Sequence, residues 1–163
     1  MRAGTKRTST LKMAKILLVT GSVFGAAMLT SDEIETALTD ASHEVIRPDP
    51  PTVTELTDES IDHLVVCTSS TGNGDVPDDL LPLYTGLKTE YPRITHLSYV
   101  VVALGDSSYD NFCGGGLTMD EAILDLGAKQ IKAPLTLDAL EVTEPEEVAP
   151  AWVVAALNEY GTG

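Results

Sequence analysis

The 163 residues are 43% hydrophobic but only 5% aromatic, which fits one domain with a core of Val, Leu, Ile and Ala. Ten basic residues against 25 acidic ones give a net charge of −15, and such a body repels phosphate backbones and anionic lipid, excluding nucleic-acid and membrane-surface partners. Two cysteines, Cys67 and Cys113, exclude a disulfide framework, and the scattered His43, His63 and His96 have no metal-ligand spacing.

In chain order, residues 1–12 carry Arg2, Lys6, Arg7 and Lys12 and no acid, and read as a disordered basic extension ahead of one domain over 13–163. The remainder then holds six bases and 25 acids, −19, a charge that steers toward a basic partner face. The uncharged run Ile16–Leu29 has the flavour of a signal peptide, but Gly21, Ser22 and Gly25 interrupt it, and a cytoplasmic protein is expected. Lys15–Thr20 is a continuous apolar run that predicts a strand buried on both faces. Apolar positions at Met28, Leu29, Ile34, Ala37, Leu38 and Ala41 predict a helix over about 26–41. Glu44–Ile46 reads as a short strand with a rigid exit through Arg47–Pro51. Buried strands follow at His63–Thr68 and Leu97–Leu104, and a last strand at Lys129–Leu137, broken around Pro134. Helical patterns occupy about 78–89, 118–126 and 146–160.

Strand, loop and helix in repeated alternation mean a parallel sheet covered on both faces. Right-handed crossovers then gather the loops after the strands on one edge, where such sheets bind ligands. Three small-residue loops follow strong strands. The first, Thr20–Ala27, leads into a helix amino terminus, whose free N–H groups favour an anion. It matches neither the phosphate-binding Gly-x-x-x-x-Gly-Lys pattern nor a dinucleotide fingerprint. The second, Thr68–Asp79, supplies hydroxyls and two glycines that allow close backbone approach to a flat ligand. The third, Leu104–Gly114, sets Tyr109 and Phe112 in a polar loop, where a ring is available to stack on a heterocycle.

The third loop, Gly105-Asp106-Ser107-Ser108-Tyr109 with Phe112-Cys113-Gly114, resembles the third cofactor loop of flavodoxins. Thr68–Gly72 with Gly74-Asp75 resembles their second, and Gly21-Ser22 with Gly25 their first. The resemblance covers Lys15 to about Tyr160 and is greatest to short-chain flavodoxins, the small bacterial MioC and YqcA type. It implies a flavodoxin-like three-layer α/β sandwich, with a five-stranded parallel sheet of order 2-1-3-4-5. It also implies an FMN-binding, low-potential electron carrier, monomeric and not itself a catalyst, that docks on basic faces of a reductase and an acceptor.

Carried over by position, Ser22, Val23, Phe24, Gly25, Ala26 and Ala27 would cradle the FMN phosphate. Ser69, Ser70, Thr71, Gly72 and Asn73 would line the inner side of the ring. Gly105, Asp106, Tyr109, Asn111, Phe112 and Cys113 would hold its outer side, with Tyr109 stacked on it. Reduction adds negative charge to the flavin, which this acidic body disfavours. The first loop departs from the family pattern. Phe24 and Ala27 stand where hydroxyls usually bond the phosphate, each a loss of about 1.5–3 kcal/mol. A flavin-free scaffold acting through protein contacts is therefore the alternative. A phosphorylatable receiver domain is excluded, because its acidic pair and acceptor Asp are missing after the first and central strands.

Overall fold

The computed structural model describes residues 13–71 and 73–162. The expectations for residues 1–12 and for Gly72 lie outside the described residues. Strand β1 (Lys15–Gly21) leads into α1 (Ala26–Asp40), then come β2 (Glu44–Ile46), the short α2 (Val53–Leu56) and β3 (His63–Thr68). Helix α3 (Leu81–Glu90), β4 (Ser98–Gly105), α4 (Gly114–Asp125), β5 (Lys129–Gln130), β6 (Leu135–Asp138) and α5 (Pro145–Thr162) complete the chain.

All strand pairs are parallel, in the order β2-β1-β3-β4-β5, with β6 also on β4. This is the expected 2-1-3-4-5 order, with the last strand split in two. Tyr99 pairs with Gln130 and Val102 with Leu135, so residues 131–134 stand opposite only Val100 and Val101. The surplus interrupts the ladder locally, and Pro134, which has no N–H to give, falls within the gap.

Side-chain alternation divides the core into two layers. Leu17, Val19, Leu64, Val66, Tyr99 and Val101 face α3 and α4 through Leu83, Leu87, Met119 and Ile123. Ile16, Leu18, Val65, Cys67, Val100 and Val102 face α1 and α5 through Ile34, Leu38, Val153 and Leu157. A one-residue slip in any central strand would exchange the two sets, so the doubly apolar strands depend on helices covering both faces. Cys67 is fully buried, and burial pushes its thiol up to about 12, which leaves it unreactive.

Two histidines lie at the pole opposite the strand tips. His43 Nδ1 accepts the Ala14 N–H at 3.1 Å, while His63 starts β3 and meets Tyr160 edge-on. His43 Nε2 and His63 Nδ1 are buried and have no hydrogen-bond partner among the described residues. Burial lowers the pKa of both below the ordinary 6.5; for His63, neighbouring Asp62 opposes the shift and His43 adds to it. A depressed histidine pKa means that the unfolded chain binds more protons, so this contribution is fully present above pH 6.5 and fades as pH falls below it. Acid also relieves self-repulsion in so anionic a body, so the diagnostic comparison is between proteins. His63→Phe is expected to show a shallower fall in Tm between pH 6.5 and 5 than the parent; parallel profiles would count against this assignment.

Candidate functional site at the strand tips

The carboxyl ends of β1, β3, β4 and β6 open into a cleft of about 520 Å³, within the roughly 300–1,000 Å³ typical of small-ligand sites. Val23, Phe24 and Ala26 form one wall, Ser69, Ser70 and Thr71 a second. Gly105, Asp106, Tyr109, Asn111 and Cys113 form a third. A fourth wall, which the sequence reading did not include, comes from Leu137, Ala139, Val142, Thr143 and Pro145 between β6 and α5. Leu104 closes the floor. The Pro145-Glu146-Glu147 helix start was visible in the sequence, and a chain that returns to the tip edge before that helix was the available signal for this wall.

The first loop turns directly into α1. Gly25 occupies the left-handed region at φ 94°, and no side chain caps the helix. The segment Thr20–Ser31 contains no Lys or Arg, so backbone N–H groups and the helix dipole are its means of attracting an anion. Ser22 Oγ accepts the Gly25 N–H at 3.0 Å, and the Ser22 N–H donates to both carboxylate oxygens of Asp79 at 3.1 Å. Phe24 projects from the tip with 96% of its surface exposed. Ala27 is buried beneath the turn, against β3, where its carbonyl accepts the Cys67 thiol.

The second and third loops are joined by two hydrogen bonds between side chain and backbone and by one close backbone approach. Asn111 Nδ2 donates to Asn73 O at 3.0 Å, and Gly115 N–H donates to Ser70 Oγ at 2.8 Å. A Cβ on Gly114 would overlap the carbonyl oxygen of Gly74 and lie 3.0 Å from its Cα. Helix α4 can start at this seam only because its first residues have no side chains. Asn73 thus meets the third loop through its carbonyl, and neither it nor Phe112, which packs against the core layer of α3 and α4, lines the cleft.

The third loop is braced from the fourth wall. Asp138 accepts the N–H groups of Ser107 at 3.1 Å and Leu140 at 3.0 Å. Hydrogen bonds from Ser107, then from Leu140, hold its carboxyl below the ordinary carboxylate range. Asp106 accepts the Ser108 N–H at 2.8 Å and closes the turn that presents Tyr109, whose ring is about half exposed at the mouth. Cys113 is buried in the wall, and burial raises its thiol to about 11, so it enters as an apolar lining group rather than a nucleophile. Among the described residues no group of His, Cys, Asp and Glu is arranged to hold a metal, and no helix is long and apolar enough to cross a membrane.

Comparison with known proteins follows the same lines. The flavodoxin family model matches residues 18–152. Flavodoxin YqcA of Pectobacterium carotovorum is 41% identical over 143 residues, covering 88% of this chain and 95% of that protein. Flavodoxin YqcA of Escherichia coli is 36% identical, covering 92% and 98%. A flavodoxin from Pseudomonas aeruginosa, solved as a cysteine-to-serine mutant, superposes with a TM-score of 0.82 at 33% identity, over 91% of this chain and 99% of that one.

Proposed function

Because the chain belongs to the flavodoxin family, we propose that it binds one FMN in the strand-tip cleft and carries electrons between a reductase and an acceptor protein. The observation that carries this reading is the convergence of an uncapped helix amino terminus and a half-exposed tyrosine on one cleft. The residues present suit the cofactor. Gly25 leaves open space over the α1 terminus, and a Cβ built there meets nothing within 4 Å. The lining supplies aliphatic surface at Leu104, Leu137 and Val142 and hydroxyls at Ser69, Ser70 and Thr71.

In this reading the first turn of α1 holds the phosphate through the N–H groups of Ala26, Ala27 and Met28, the helix donors that lack intrahelical partners. Ser69–Thr71 position the inner face of the ring, and Tyr109 covers the outer one. The brace from Asp138 to Ser107 and Leu140 keeps that cover in place. Bound FMN supplies the one- and two-electron chemistry, and the polypeptide tunes it through charge. Asp106 lines the cleft and Asp110 follows in the same exposed loop, so negative charge added to the ring is disfavoured. The same acids suit transient docking on basic faces of redox partners.

Purified protein is expected to be yellow, and protein freed of flavin to quench the fluorescence of added FMN with one-to-one stoichiometry. Failure of folded protein to bind FMN at millimolar concentration would overturn this reading in favour of a scaffold without flavin.

A further inference from the structure

The first loop has an internal competitor for the anion it is built to receive. The Ser22 N–H points out of the strand tip and is met by both oxygens of the Asp79 carboxylate, each at 3.1 Å. The Gly25 N–H is turned onto Ser22 Oγ. The nearby hydroxyls face inward too: Thr20 donates to Ser31 Oγ at 2.7 Å, and Thr30 to Ala26 O at 2.8 Å. Two of the turn's backbone donors are therefore already paired, one of them by a full negative charge.

The backbone that carries Asp79 is held in place. Its neighbour Leu80 is fully buried and lies against Gly21, where an added Cβ would come within 3.0 Å of the leucine side chain. The Leu80 N–H donates to Pro77 O at 3.0 Å, which fixes the turn that carries the acid. A carboxylate paired with the first N–H of an anion-binding turn repels a phosphate and leaves an uncharged ribityl chain untouched.

Resting on the flavin reading above, we infer that Asp79 sets the phosphate selectivity of the cleft, holding the affinity for FMN closer to that for riboflavin than the α1 terminus alone would give. Asn at this position keeps an oxygen for the Ser22 N–H and removes the charge. Neighbouring Asp78 has the same side chain, is also exposed and does not accept the Ser22 N–H, so it serves as the charge control.

The test is titration of flavin-free protein with FMN and with riboflavin, read by fluorescence quenching, alongside the thermal shift produced by inorganic phosphate alone. Asp79→Asn is expected to raise the ratio of FMN to riboflavin affinity about three- to tenfold. It is also expected to enlarge the stabilisation by phosphate, while Asp78→Asn changes neither. An unchanged or smaller ratio in Asp79→Asn, or an equal rise in Asp78→Asn, overturns the inference and leaves flavin binding intact. If neither flavin binds, the flavin reading itself falls. The phosphate arm then still decides on Asp79: a larger shift in Asp79→Asn supports its control of the anion site, and an equal one removes it.

Discussion

Gly114→Val is expected to lower Tm and to weaken FMN binding together. The new side chain would sit on the Gly74 carbonyl, and that contact is between two backbones, so neither partner has a rotamer by which to yield. Overpacking of this kind costs about 1–3 kcal/mol. For a domain of this size that is a fall of roughly 2–12 °C in Tm. The seam also sets the distance between the second and third loops, so the inner and outer walls of the cleft would separate. The same strain, drawn from binding, amounts to about a ten- to hundredfold weaker FMN complex. Thermal melts and flavin titrations on the same preparation check both effects. Retention of parental Tm and affinity would show that the two loops are not coupled at this point.

Tyr109→Ala is expected to separate binding from stability. The ring is about half exposed and belongs to neither core layer, so Tm should stay within about 1–2 °C of the parent. Loss of an aromatic platform under a flat heterocycle costs about 1–3 kcal/mol, or roughly ten- to hundredfold in FMN affinity. Tyr109→Trp restores a ring and should recover most of it. An alanine variant that binds FMN as the parent does would mean that the outer face is covered by another group lining the cleft, such as Val142 of the fourth wall.

That the sheet is parallel and covered on both faces was legible because its central strands are apolar on both sides, whereas its 2-1-3-4-5 order came only from the family resemblance. Runs such as Leu64-Val65-Val66 and Val100-Val101-Val102 have one physical use in a chain of this length, and the glycines after them mark the ligand edge. Local chemistry misled the reading where tertiary contact outweighed it. Gly114-Gly115-Gly116 reads as loop because glycine disfavours helix, yet α4 starts there, since only a bare backbone fits against Gly74 and Ala103. Helix α2 was missed although Thr52 and Glu55 form a capping box, because four residues are too few for a periodic signal. The fourth wall has no glycine or hydroxyl motif. Its aliphatic residues become cleft lining only through β6 pairing beside β4, a relation between residues more than thirty positions apart.

The three strand-tip turns are not equally tied to one another. The second and third share a seam with no room for a methyl group, so substitutions there must change in concert or not at all. The first is tied to the second at its base, where Gly21 has no room for a methyl group beside Thr68 and Leu80 and its carbonyl accepts the Ser69 N–H, but these contacts do not involve the side chains at its tip. Only its exposed tip is thus free to vary without disturbing the other two turns. Phe24, which stands where the family resemblance leads one to expect a hydroxyl, is exposed at that tip and is the kind of change it tolerates, whereas Ala27 is buried against β3.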